Sequence, residues 1–213
     1  MRVISGSAKG RTLKGPGGMG TRPMADRVKE SLFNILMVLG YPQAGDRVLD
    51  LYAGSGALGI EALSRGAGWA DFVEQASEPG RCIRDNLQTT GLADRGKLHP
   101  VAVATFLRAT ANNLTINASS AHNKDTKYDI IFCDPPYADP AIPATLAQIA
   151  AGPQLSEDGL LVVGHAIQVD LPDRLGPLER VRFRKFGGSA FSLYKHSDAG
   201  PTPADDGDLP EED

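Results

Sequence analysis

The run Val48-Leu49-Asp50-Leu51-Tyr52-Ala53-Gly54-Ser55-Gly56-Ala57-Leu58-Gly59-Ile60-Glu61-Ala62-Leu63 constrains the fold of this chain more than any other stretch. A short β-rich run leads into a glycine turn, and apolar residues at helical spacing follow, so the segment reads as strand, tight loop, helix. Gly54 and Gly56 permit positive φ and let the backbone approach a ligand closely, while the helix behind them directs free N–H groups at that ligand. Alternation continues from there, with strands expected at 48–52, 70–74, 97–101, 128–133 and 159–163 and helices at 57–65, 79–90, 103–112 and 141–151. Such alternation predicts an α/β fold with a doubly wound, mostly parallel sheet whose ligands bind at the strands' carboxyl ends. Two more strands, 181–186 and 190–195, are joined by Gly187-Gly188 and predict a closing antiparallel hairpin. The polar, aperiodic stretch 113–127 reads as an insertion loop.

Ahead of this core, Gly6, Gly10, Gly15, Gly17, Gly18 and Gly20 punctuate a short hairpin or arm over residues 1–20. Val28, Leu32, Ile35, Leu36 and Leu39 then repeat at helical spacing until Gly40 and Pro42 stop them, so one face of this helix packs on the main fold. The chain divides into a basic arm with its packing helix (1–40), a main domain (41–196) and an acidic tail (197–213). With 213 residues and 41% hydrophobic content, one core is enough. No apolar run approaches the roughly 20 residues that span a bilayer, and Met1-Arg2-Val3-Ile4-Ser5-Gly6 lacks a secretory signal's regions, so a cytoplasmic location without membrane contact is expected. Cys82 and Cys133 read as packed thiols, and His99, His122, His165 and His196 fall singly, so no metal site is expected.

The formal charge of −4 conceals an uneven distribution. The tail carries seven acids and no base, lacks apolar anchors and is expected to be disordered, which leaves 22 bases against 19 acids elsewhere. Residues 1–29 hold Arg2, Lys9, Arg11, Lys14, Arg22, Arg27 and Lys29 against Asp26 alone, a cluster able to neutralise several phosphates. Arg180, Arg182, Arg184 and Lys185 form a second basic run.

Chemistry is concentrated in Asp134-Pro135-Pro136-Tyr137, which follows the apolar run Tyr128 to Cys133 and so sits where a buried strand ends. The carboxylate and a proline carbonyl can both accept from one amino group, and the tyrosine ring offers a face for a planar base. That set suits methyl transfer to a weakly nucleophilic nitrogen. Taken alone, the glycine loop leaves a second reading open, because Gly54, Gly56 and Gly59 satisfy the dinucleotide fingerprint and Glu74 lies where a ribose-binding acid belongs. Asp50 favours the first reading: an acid ahead of the loop repels a pyrophosphate and suits the cationic amino-acid end of S-adenosyl-L-methionine. Alternatives are an NAD-dependent oxidoreductase, a catalytically silent RNA-binding protein, and DNA or protein-glutamine methylation, which shares the tetrapeptide.

From about Arg2 to Tyr194 the chain resembles the RsmD-type methyltransferases that modify a guanine N2 of 16S ribosomal RNA. The marks are Arg2-Val3-Ile4-Ser5-Gly6 with Gly10-Arg11-Thr12-Leu13, Thr21-Arg22-Pro23 with Asp26 to Asn34, the glycine loop, Asp134 to Tyr137, and Phe186-Gly187-Gly188 leading to Leu193-Tyr194. The resemblance implies a seven-stranded Rossmann-like methyltransferase fold and S-adenosyl-L-methionine as cofactor. It also implies 16S rRNA or the small-subunit particle as partner. It assigns Asp134, Pro135, Pro136 and Tyr137 to catalysis and Asp50, Tyr52, Ala53, Gly54, Ser55, Gly56 and Glu74 to the cofactor, with Arg2, Lys9, Arg11, Arg22 and Arg27 on the RNA. Three positions depart from the family pattern: Ala76 and Ala102 stand where acids are frequent, and Gly164 replaces a frequent Glu.

Overall fold

The computed structural model describes residues 1–17, 26–116, 127–136 and 139–197. Elements run α1 (Asp26–Val38), β1 (Arg47–Leu51), α2 (Ala57–Ser64), β2 (Trp69–Val73), α3 (Ser77–Thr90), β3 (Gly96–His99), α4 (Val103–Ile116) and β4 (Tyr128–Cys133). They continue with α5 (Ile142–Ala151), β5 (Leu155–Ala166), β6 (Arg174–Leu175), β7 (Leu178–Phe186) and β8 (Ser189–His196). One sheet has the order β3-β2-β1-β4-β5-β8-β7-β6. β1 to β5 are parallel, and β8 enters antiparallel beside β5 to begin the closing hairpin. Strand order reverses between β1 and β4, which opens the crevice where ligands of doubly wound sheets bind.

The architecture follows the sequence reading, with differences of extent. The eighth strand, β6, is a two-residue edge piece that turns onto β7 at Gly176, whose φ is 56°. β5 starts at Leu155 rather than near 159, and α4 runs to Ile116, into the stretch read as a loop. Residues 117–126 of that stretch, and the tail from 198 onward, lie outside the described residues.

Each face of the sheet carries its own core, because side chains alternate along a strand. Val48, Ile130, Phe132, Leu160 and Val162 face α1, α2 and α3, whereas Leu49, Leu51, Ile131, Cys133, Leu161 and Val163 face α4 and α5. The buried face of α1 is Lys29, Leu32, Phe33 and Leu36, with Val28, Ile35 and Leu39 at its margin, so the stripe is rotated from the one drawn on apolar residues alone.

The amino-terminal arm is part of the core. Arg2 and Thr12 form an antiparallel bridge, and Val3, Ala8 and Leu13 are buried against the same cluster as Leu32 and Val48. Glu61 of α2 fastens the arm: its carboxylate accepts from the N–H groups of Ile4 at 2.8 Å and Ser5 at 3.0 Å. Lys29 Nζ lies 3.2 Å from Glu61 and donates to the Arg2 carbonyl, and Arg65 Nε pairs with Glu61 at 2.8 Å. Lys29 and Glu61 are fully buried, so Lys29 leaves the basic surface to which its sequence position assigned it.

Candidate active site

Leu51 pairs with both Val73 and Cys133, so Tyr52, Glu74 and Asp134 leave the sheet side by side at the carboxyl ends of β1, β2 and β4. Strands are about 4.8 Å apart, which sets Glu74 and Asp134 about 10 Å from each other across the end of β1. The two sequence motifs, far apart in the chain, thus face one crevice.

The turn after β1 needs unusual backbone. Tyr52, Gly54 and Gly56 take φ of 58°, 56° and 77°, and the Tyr52 hydroxyl reaches Thr145 Oγ1 of α5 at 3.1 Å. A left-handed conformation at a tyrosine is costly and is held here by the surrounding contacts. Ala53 N donates to Val73 O and Gly56 N to Ala53 O, so the loop is braced from both sides. Gly59 has a different function: a Cβ there would stand 2.4 Å from the Phe72 ring, so only glycine lets α2 lie this close to β2.

The loop amides are directed at carboxylates of the protein itself. Gly54 N donates to Glu74 Oε2 at 3.0 Å and Ala76 N to Glu74 Oε1 at 2.8 Å. Gly59 N, in the first turn of α2, donates to Asp50 Oδ2 at 2.9 Å. Asp50 therefore holds the first turn of α2 as well as lying beneath the loop, and burial pushes its carboxyl up to about 8, with the Gly59 N–H opposing and Asp134 and Glu74 adding to the rise. An anion-binding loop would aim these donors at its ligand. Here those donors are taken by the protein's own carboxyls, which disfavours a pyrophosphate, and a cation bound above Asp50 would favour its ionised form.

Asp134 is half-buried and differs from Asp50 and Glu74 in having no backbone donor among the described residues directed at its carboxylate. Desolvation alone pushes its carboxyl up to about 6, with no compensating hydrogen bond or cation among the described residues. Its carboxylate lies over Gly164 of β5, where a Cβ would come within 2.1 Å of Oδ1. Gly164 thus provides the space into which this acid folds. Pro135 is buried and Pro136 exposed, and the Pro136 carbonyl is taken by Asp139 N at 2.9 Å. Tyr137 lies outside the described residues.

Asn86 of α3 is a residue that the sequence reading passed over. Its amide donates to Ser55 O and Lys14 O at 2.9 Å each and accepts from Lys14 N at 2.8 Å, tying the glycine loop to the arm. The signal for it was a polar residue between Ile83 and Leu87 on the buried face of that helix. Ala76 caps α3 without a side-chain acceptor, and Ala102 is exposed just ahead of α4. Of the proposed RNA contacts, Arg2, Lys9, Arg11 and Arg27 are exposed, Arg2 pairs with Asp26 at 3.3 Å, and Arg22 lies outside the described residues. Among the described residues no cluster of His, Cys, Asp or Glu could hold a metal, and no helix is long and apolar enough to cross a membrane.

The family model described as Conserved hypothetical protein 95 matches residues 1–195. The chain is 39% identical over 195 residues to the putative rRNA methyltransferase YlbH of Bacillus subtilis, covering 92% of this chain and 98% of that one. It is 32% identical over 207 residues to ribosomal RNA small subunit methyltransferase D of Escherichia coli, covering 96% and 94%. The chain belongs to the RsmD family. Its fold agrees with that assignment: the structure of the E. coli putative methyltransferase yhhF superposes with a TM-score of 0.75 at 30% identity, covering 92% of this chain and 97% of that one. The protein is a methyltransferase of the S-adenosylmethionine-dependent fold, and the oxidoreductase and silent-binder alternatives are set aside.

Proposed function

We propose that this RsmD-family enzyme methylates the exocyclic N2 amine of a guanine in 16S ribosomal RNA, in the cytoplasm, with S-adenosyl-L-methionine as methyl donor. The observation that carries the chemistry is the uncompensated carboxylate of Asp134, beside a glycine loop whose floor is acidic. A half-buried carboxylate at the mouth of a cleft, raised by desolvation and without a protein donor among the described residues, is open to a donor from a ligand. The choice of RNA is supported by the E. coli relative, whose name specifies small-subunit ribosomal RNA, and by the exposed bases of the arm.

The cofactor supplies a methyl group already activated on a sulfonium, so the protein's task is alignment and stabilisation of the acceptor. Tyr52, Ala53, Gly54, Ser55 and Gly56 form the cradle, Glu74 accepts from the ribose hydroxyls with lone pairs not used by Gly54 and Ala76, and Asp50 lies beneath the cationic end. Asp134 and the Pro135 carbonyl accept the two amine hydrogens, favouring the tetrahedral nitrogen of the transition state over the planar, delocalised ground state. Tyr137 stacks on the guanine once it is turned out of its neighbours. Arg2, Lys9, Arg11, Arg22 and Arg27 hold phosphates.

Radiolabelled methyl transfer to undermodified small-subunit RNA and particles, followed by nucleoside analysis, tests the reading. Label recovered as N2-methylguanosine is the expected result; label in adenine, DNA or protein would overturn the substrate assignment.

A further inference from the structure

At the far edge of the sheet β7 carries Arg180, Arg182, Arg184 and Lys185 against the single acid Glu179, a net charge of +3 in nine residues. In the middle of this basic strand stands an aromatic side chain that the hydrophobic core does not claim: Phe183 is 40% exposed. Its ring packs at 6.1 Å and 26° against His165 of β5, which is itself fixed by Ser192 Oγ at 3.1 Å and by the Ala166 carbonyl. The Arg180 guanidinium lies 5.4 Å from the ring centroid and Lys185 Nζ 5.9 Å. Arg180 is held in turn by Asp173 and the Leu171 carbonyl, so it braces the ring, while Lys185 is exposed.

The strand register ties this ring to the active site. Phe183 pairs with Ser192, Ser192 with Val163, and Val163 with Cys133, the residue before Asp134. The ring thus stands level with the end of β4, three strand spacings or about 14 Å along the sheet, on the α4/α5 face. The Asp134 carboxylate lies over Gly164 on the other face, so RNA reaching both crosses the rim of the sheet. An exposed aromatic on a rigid strand with cations around it is the composition of a stacking platform for single-stranded nucleic acid, in which the ring takes a base and the cation its phosphate. The RNA substrate proposed above supplies both a base for the ring and a phosphate for the basic strand.

Given the RNA substrate proposed above, we infer that Phe183 and Lys185 form a second nucleotide site, where a base flanking the target guanine stacks on Phe183 and its phosphate meets Lys185. The site gives the enzyme a grip on unpaired RNA beside the base that enters the cleft, on the side of the sheet away from the amino-terminal arm.

The test compares wild type, Phe183→Leu, Phe183→Trp and Lys185→Gln for binding to an undermodified 16S rRNA fragment over a range of salt, with melting temperature and S-adenosylhomocysteine affinity as controls. Phe183→Leu keeps apolar bulk and removes the aromatic face, so RNA affinity falls about tenfold with an unchanged salt slope, and Phe183→Trp restores it. Lys185→Gln flattens the salt dependence by about 0.7 log units. Equal RNA affinity for wild type and Phe183→Leu, an unchanged salt slope in Lys185→Gln, or a fall in affinity in both Phe183 variants that follows a fall in melting temperature would overturn the inference. Wild-type protein that neither binds nor methylates the RNA would instead bring down the substrate reading on which it rests.

Discussion

The residue on which the proposed chemistry turns, Asp134, is also one the fold leaves without a stabilising partner among the described residues. Asp134 accepts no hydrogen bond from the described residues, and its carboxyl is raised to about 6 by desolvation. In the proposed mechanism it accepts the amine hydrogens as a carboxylate, so turnover should fall as pH drops through about 6, approaching tenfold per unit, and be level above about 7. Asp134→Asn should cost about a hundredfold in kcat, with cofactor affinity retained and the acid limb of the pH profile gone. Wild-type turnover in this variant would remove Asp134 from the mechanism. Gly164 gives a finer probe, because a methyl group there would stand 2.1 Å from Oδ1 and 2.8 Å from Cγ of Asp134, so the whole side chain must swing away. Gly164→Ala should therefore fold, bind S-adenosylhomocysteine normally and lower kcat by about tenfold in steady-state assays; an undiminished rate would show that the orientation over Gly164 is not the working one. Asp134 and Glu74 were legible in the sequence because each ends an apolar run at a fixed offset from a turn. The part played by Gly164 was not, because it depends on β4 and β5 lying side by side.

Among the elements, the arm departs furthest from its sequence reading. Its glycines and bases read as a short basic arm ahead of the packed helix, yet Val3, Ala8 and Leu13 are buried and its backbone is held by Glu61, Ser64 and Asn86. Burying Val3 and Leu13 alone is worth about 1.5–3 kcal/mol each. Deletion of residues 1–14 should thus destabilise the protein by at least about 3 kcal/mol, seen as a lower denaturant midpoint, and a truncated protein of native stability would return the arm to the status of an appendage. Glu61→Gln should cost about 3–5 kcal/mol in the same assay, since it leaves Lys29 buried without its counter-ion. The arm's contribution to RNA binding has to be read from surface changes instead. Lys9→Gln with Arg11→Gln should flatten the salt dependence of RNA affinity by about 0.7 log units for each phosphate that is no longer neutralised, while stability holds.

At the scale of the whole molecule, raised carboxyls bias the folded state toward lower pH. Asp50 sits at about 8 and Asp134 at about 6 in the folded protein. Both titrate near ~3.9 when unfolded, so through the interval between, the native state holds protons that the unfolded chain has released. The contribution of both groups to stability is complete below the unfolded value and declines as pH rises toward about 8. Melting temperature followed from pH 5 to 8 should show Asp50→Asn gaining on wild type with rising pH; parallel curves would show that Asp50 ionises without penalty.

Sequence by itself determined the alternation of strands and helices, the glycine loop, the acid at the end of the second strand and the Asp-Pro-Pro run at the end of the fourth. Each is a local matter, written in periodicity and turn chemistry over a few residues. Only the tertiary structure decided that Lys29 is a buried counter-ion, that Asp50 accepts from the first turn of α2, that the arm belongs to the core and that Phe183 stays out of it. Those outcomes depend on partners far away in the chain, such as Glu61 for Ile4 at a separation of 57 residues and His165 for Phe183 across the sheet. Burial and charge pairing are properties of the packed neighbourhood, which no window of sequence contains.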